Sequence, residues 1–415
     1  MNPKLRLAAL VAGLAIVASA CAAGASPTPE PAAPTVAPTA APPAGPTEPA
    51  TLSGALTIWH AYGSSGGRAE FNAFSRILEK VQAANPGLTI TAVEQPFSDI
   101  FTKFETASAA GGGPDMFIAP NDNLGNEVRG NFLVDLTGKI DDVLANTNEV
   151  SVSGSQVDGK VYMVPESLKA VAMYYDTAKV PTPPKTTAEL LAFVQGGGKV
   201  GILSGAYFGW GFYFGFGGKI FNDDGSCAAT ANSGVADGIK FVADLKAAGA
   251  LVDADYNKVN DAFKSGKIDI ILNGNWTLGD YRTARPAAAV APVPAGPGGP
   301  SSTMVGVDGW YINASSKNQD LAIAVATELV SQASQEIYVD VAGHVPSNTG
   351  ISIVDPLVKS FSDAINLGVA RPQSKEFGNY WGNFGNAWDE VLLKGGDATA
   401  AVAKGCTDMD VANGH

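Results

Sequence analysis

Two periodicities alternate along this chain, and that alternation limits the fold more than any other feature. Residues 55–59, Ala-Leu-Thr-Ile-Trp, form a short β run followed by a Gly/Ser turn at 62–67. Residues 68–84 then carry Phe74, Ile77, Leu78 and Val81 on one helical stripe. Asn85-Pro86-Gly87 stops that helix. The spacing predicts a strand over 88–93, a helix over 97–110 and a strand over 116–119. It resumes with a strand at 200–203, a helix at 235–248, a strand at 268–272 and a long helix at 321–341; the remainder is mainly helical. Strand–helix alternation implies an α/β architecture on parallel sheet. At 415 residues the chain exceeds a single core of about 100–150 residues, so two domains are expected. The Pro/Gly run at 292–300 reads as a loop near a boundary, and no internal repeat is found.

The N-terminus reads as a targeting segment. Lys4 and Arg6 precede an apolar run over 7–18, about a dozen residues and shorter than the ~20 of a spanning helix. Ala18-Ser19-Ala20 is a small-residue cleavage site, so 1–20 is read as a signal peptide. Cys21 follows, placed as in a bacterial lipoprotein signal, where the cysteine is lipidated. Simple cleavage with Cys21 left unmodified is the alternative. Residues 22–53 hold nine prolines and no Lys, Arg or aromatic residue, which suits a semi-rigid tether. The expected product is an exported chain, anchored by Cys21 to the outer face of the cell membrane. A formal charge of −13 argues against nucleic acid, which needs a basic face. Three Cys and three His leave little for a metal or redox centre, so no cofactor is expected.

Several motifs bear on catalysis. Gly63-Ser64-Ser65-Gly66-Gly67 matches the G-x-S-x-G nucleophile pattern, but only His344 and His415 follow it. A Gly/Ser turn at a helix start is the commoner meaning, and its backbone N–H groups can still meet a ligand. Gly217-Gly218-Lys219 is followed by Ile220 and lacks the upstream glycine of a P-loop. His344 reads as a surface or hydrogen-bonded structural residue. Asp122 and Glu166 would form a glycosidase pair only if they met across a cleft.

The aromatic residues are more informative. Tyr207, Phe208, Trp210, Phe212, Tyr213, Phe214 and Phe216 crowd ten positions among glycines. The Phe residues read as core. Trp276, Trp310, Trp381 and Trp388 read as loop or helix-start residues beside Asn and Gly. Flat apolar faces near polar groups suit the C–H faces and hydroxyls of a sugar.

An ordered set of stretches resembles the extracellular solute-binding proteins of bacterial ABC importers, in the maltose-binding-like family. It comprises Leu56-Thr-Ile-Trp59-His60, Gly112-Gly113-Pro114-Asp115-Met-Phe-Ile-Ala, Asp158-Gly-Lys-Val-Tyr162-Met-Val-Pro165-Glu166-Ser and Met173-Tyr174-Tyr175-Asp176. It continues with Pro183-Pro184-Lys185-Thr186-Thr187, Ala262-Phe263-Lys264 through Asn273-Gly274-Asn275-Trp276, and Val305-Gly-Val-Asp-Gly309-Trp310. The resemblance implies a two-lobed periplasmic-binding-protein-like fold with hinge strands and a ligand cleft between the lobes. It places 54–165 plus about 305–350 in the N-terminal lobe, and about 170–300 plus about 355–415 in the C-terminal lobe. It implies a monomeric, non-catalytic carrier that takes a carbohydrate to a membrane permease. The implied ligand residues are His60, Tyr62, Ser64, Asp122, Glu166, Tyr207, Trp210, Trp276, Trp310 and Trp381. Ala119 or Pro120 lies where maltose binders carry Trp, and Gly205 where they carry an acid; this implies a mono- or oligosaccharide other than a linear maltodextrin. The rival readings are a secreted hydrolase using Ser65 or Asp122/Glu166, and the same fold holding a non-sugar solute. With Cys21 lipidated, Cys227 and Cys406 remain, both in the lobe the resemblance makes the second, and a surface disulfide between them is expected.

Overall fold

The computed structural model describes residues 51–63 and 68–415; Cys21, Ser64, Ser65 and the proline-rich segment lie outside the described residues. Strand β1 (Ser53–His60) turns Leu56, Ile58 and His60 inward, as period-2 alternation requires. The helix Arg68–Ala84 buries the stripe Phe74, Ile77, Leu78 and Val81. Strands β2 (Gly87–Glu94) and β3 (Met116–Pro120) flank β1, both parallel to it. The short strands β4 (Gln156–Val157) and β5 (Lys160–Val161) form a hairpin. Its turn residues Asp158 and Gly159 have φ of 51° and 76°, the left-handed pair that a two-residue hairpin needs. Strand β6 (Met163–Lys169) is buried throughout.

At Ala170 the chain leaves for a second sheet in a single residue. Strands β7 (Val171–Asp176), β8 (Val200–Leu203), β9 (Leu251–Asp253), β10 (Ile270–Gly274) and β11 (Ala288–Ala291) assemble there in the order β11-β7-β10-β8-β9. The chain returns in β12 (Met304–Ile312), which enters between β3 and β6. Strand β13 (Val345–Pro346) pairs with β6, and β14 (Val369–Ala370) with the start of β12. The molecule is thus two-lobed, with a seven-stranded and a five-stranded sheet.

Two sequence expectations need correction. The sheets are mixed, because β12 runs antiparallel to β3 and β6, and β7 antiparallel to β10 and β11. Parallel neighbours need a crossover within their own sheet, and strands arriving from the other lobe make none. The single helix expected at 321–341 is two, Gln319–Leu329 and Gln332–Ala342. Ser331 breaks the run, because its side chain accepts the Ser334 N–H and starts the second helix.

Cys227 and Cys406 are joined by a disulfide that ties the helix Ala398–Asn413 to the second lobe. Cys406 is buried in that lobe's core, not on its surface, because its helix packs that face inward.

Candidate functional site

The second lobe supplies an aromatic wall. Tyr207 lies in the turn after β8, Trp276 in the 3-10 turn Asn275–Thr277 that ends β10, and Trp381 in the first turn of the helix Tyr380–Leu392. All three are half-buried. Ring centroids stand 6.0 Å apart for Tyr207 and Trp276, and 6.4 Å for Tyr207 and Trp381. The Trp276 indole N–H donates to the Tyr256 hydroxyl at 2.9 Å, which fixes its plane. Trp381 is braced edge-on by Phe377 and Tyr380, and its buried indole N–H has no hydrogen-bond partner.

The first lobe supplies a polar wall. Asn121 and Asp122 follow β3. The Asn121 amide donates to the Gly154 carbonyl at 2.9 Å, while its oxygen accepts the Val307 N–H at 3.1 Å. That side chain is locked by the backbone around it.

Arg371, just beyond β14, joins the walls. It donates to the Asn121 oxygen at 2.9 Å and forms an ion pair with Asp122. Its guanidinium lies 5.5 Å from the Tyr207 centroid and 5.9 Å from that of Trp381, within cation–π range. Gly306 makes room for it, since a Cβ there would stand 2.7 Å from the guanidinium. Nothing in a motif points to Arg371. The available signal was a lone cation in the apolar stretch Leu367-Gly-Val-Ala-Arg-Pro, which must be paired if buried.

Beneath Arg371 lies a buried charged cluster. The Lys169 ammonium meets Glu70 at 2.7 Å, His344 Nε2 at 2.9 Å and Asp308 at 3.3 Å. His344 Nδ1 lies 3.0 Å from the Glu166 carboxylate, and Nε2, beside the Lys169 ammonium, lies 2.7 Å from that of Glu70. Its ring stacks flat on Tyr338 at 4.6 Å. Burial alone would raise the Glu70 carboxyl, but Lys169 and His344 outweigh it and hold it down at about 2. Burial pushes Asp308 up to about 6 against the pull of Lys169. Burial and Lys169 oppose a charge on His344, yet the carboxyls of Glu166 and Glu70 keep its pKa above the ordinary histidine value.

The expected site residues therefore divide. Asp122, Tyr207, Trp276 and Trp381 come together. Trp310 does not join them; it lies in mid-β12 with its indole sealed in the first-lobe core, 6.1 Å from Phe74. An Asn/Gly neighbourhood suggested a loop, but the glycine beside it serves close strand pairing. Trp210 is buried beneath the aromatic wall, edge-on to Tyr380 at 5.1 Å. His60 and Tyr62 pack on Phe74 at 4.8 and 5.4 Å, and burial lowers His60 to about 4, which keeps it neutral. Glu166 is fully buried, because β6 and β12 slip register at Asp308/Gly309 and leave it as the extra residue of a bulge aimed at His344. It has no path to a substrate, so an Asp122/Glu166 glycosidase pair does not form. His344 is interior and hydrogen-bonded, not superficial. Ser64 lies outside the described residues.

Flat rings opposite paired hydrogen-bonding groups can grip a ligand that is apolar on its faces and hydroxylated at its edge. Among the described residues no group of three or more His, Cys, Asp or Glu is placed to hold a metal ion. A separate cavity of about 490 Å³ lies between β13 and the helix Pro356–Ile365, lined by Leu168, Val305 and Ile365 and by none of the wall residues.

Known proteins resemble this chain in sequence and in fold. A family model described as bacterial extracellular solute-binding protein matches residues 76–364. The maltotriose-binding protein of Pyrococcus abyssi is 28% identical over 82% of this chain and 78% of its own length. A galactooligosaccharide-binding protein of Bacillus subtilis is 26% identical over 65% of this chain and 69% of its own. The structure of a Thermus thermophilus maltotriose binding protein bound with maltotriose superposes with a TM-score of 0.79 at 27% identity, covering 86% of this chain and 99% of that one.

Proposed function

Because the chain belongs to the bacterial extracellular solute-binding protein family, a family of binders and not of enzymes, we propose that it binds a carbohydrate between its lobes and delivers it to an ABC importer. The observation that carries this reading is the aromatic trio Tyr207, Trp276 and Trp381 facing Asn121, Asp122 and Arg371. Rings stack on the C–H faces of a pyranose, and charge-assisted donors and acceptors take its hydroxyls. The similar proteins named for maltotriose and galactooligosaccharide support an oligosaccharide. The transmembrane permease subunits receive it from an exported monomer held to the membrane through lipidated Cys21. The lobes are taken as 54–165 plus about 305–350, and about 170–300 plus about 355–415. The chain passes between sheets at Ala170 and again between β11 and β12, which supports that division.

A melting screen tests this reading. Maltotriose, a galacto-oligosaccharide, simple monosaccharides, a peptide and a divalent cation are added in turn. A ligand at a hundred times its Kd adds about 2.7 kcal/mol of stability. At least one oligosaccharide is expected to raise the melting temperature, and a response to peptide or cation alone overturns the carbohydrate reading.

A further inference from the structure

At the Trp381 end of the aromatic row the two lobes touch directly. The helix Leu124–Arg129 follows β3 and belongs to the first lobe. The 3-10 turn Lys375–Asn379 is fastened to the second. There the Asn413 amide donates to the Glu376 carbonyl at 3.2 Å, and the Asn379 amide donates to the Asn413 oxygen at 2.7 Å. Two glycines let these elements approach. A Cβ on Gly125 would stand 3.3 Å from the Gln373 carbonyl oxygen, and one on Gly378 would stand 3.2 Å from Asn126 Oδ1. Asn126 is held in turn within the first lobe, where its amide donates to the Asn123 oxygen at 2.8 Å. The space left among Asp122, Asn126, Arg129, Gln373 and Phe377 is about 10 Å³, room for about one water molecule.

Arg371 fastens the same end from inside. Its guanidinium bonds Asn121 and Asp122 on the first-lobe side and lies over Tyr207 and Trp381 on the second-lobe side. Whichever lobe carries Arg371 through an opening, one of these two sets of contacts crosses the gap and must break. Arg371 is buried, so both sets are shielded from water, where ion pairs and cation–π contacts are strongest. None of these contacts passes through a solute.

We propose that Arg371 and the Gly125/Gly378 rim form a clasp that holds the lobes together before any solute arrives, so that the unliganded chain is mainly closed. A ligand then captures an open minority, and its apparent affinity is lowered by the fraction that is open. The clasp does not depend on which solute binds in the cleft.

Pulsed electron-spin distance measurement on the ligand-free protein tests this. Nitroxides are placed on exposed positions of one helix in each lobe, K80C and K240C, with the native disulfide intact. The parent protein is expected to show mainly the short distance of the closed lobes. R371M removes the cation, and losing its desolvated contacts is expected to raise the open-to-closed ratio about tenfold, or about 1.4 kcal/mol. G125L keeps every side chain of the two walls and wedges the rim against the Gln373 carbonyl, with a rise of about the same size. A parent protein that is mainly open overturns the proposal. So does a folded R371M or G125L protein that keeps the parent ratio. If R371M does not fold, G125L decides alone. No sugar is present, so a negative sugar screen leaves this outcome unaffected and the two readings fail separately.

Discussion

The two walls of the cleft are made from opposite materials. The second-lobe wall is aromatic and short-range, with Tyr207, Trp276 and Trp381 each presented at the end of a strand or the start of a helix. The first-lobe wall is charged and long-range, and its side chains answer to partners scattered from Glu70 to Arg371. Removing a ring loses contact area, whereas removing one charge strands another. The first wall should therefore respond mainly through stability, and the second mainly through affinity.

Lys169 gives the sharpest test of that division. K169M leaves Glu70 and Asp308 buried without their cation, and breaking such a pair costs about 3–5 kcal/mol. Denaturant unfolding should show that loss, with part of it recovered in K169M/E70Q. A stable K169M would erase the contrast between the walls.

Glu127 bears on the same wall with the opposite sign. Its carboxyl lies fully buried in the helix Leu124–Arg129, just after Asp122. Burial, with Glu105 adding to it, pushes it up to about 9. The fold therefore holds a proton that the unfolded chain releases above its ordinary value. Stability from this group is fully present below about pH 4.5 and is lost progressively as pH rises toward 9. At pH 7 the penalty reaches up to about 3 kcal/mol by the same linkage. E127Q should raise the melting temperature at pH 7 and flatten its decline with pH, measured by calorimetry.

The aromatic wall should behave differently. On the proposed reading, W276A and W381A each remove a stacking face, and each is expected to cost about 2 kcal/mol, or roughly thirtyfold in Kd. Titration calorimetry with the sugar found in the melting screen reads this, and both proteins should remain folded. Unchanged affinity in both would dissolve the wall. The smallest effect serves as a control within the second lobe. Thr186 and Glu189 form a capping box at the start of the helix Thr187–Gln195, distant in sequence from all three rings. T186A should lower stability by about 1 kcal/mol and leave affinity where it was.

The same contrast explains what could be read from the residues alone. Strand–helix alternation located most elements, because periodicity is a local property. Trp276 and Trp381 could be picked out because Asn275 and Gly382 adjoin them, and Tyr207 through the aromatic segment that the family resemblance marks. Trp310 shares that neighbourhood, yet its surroundings are set by β3 and β6, which lie far away in sequence. Lys169, Asp308 and Arg371 escaped notice for the same reason. A charge within an apolar run says that a partner exists but not which one. Glu166 misled because a one-residue bulge, invisible in the sequence, decides which way it points.

The place of β12 in the first sheet also bears on how the protein reaches its destination. β12 lies between β3 and β6, yet it is made only after the whole second sheet has been translated. Until residue 312 leaves the ribosome, the nascent first lobe has an empty slot at the middle of its sheet. Neither β3 nor β6 can satisfy its edge there, and no lasting core can close around them. Three-quarters of the polypeptide is thus synthesised before its N-terminal half can lock, and over that interval it remains a thread that an export channel can accept.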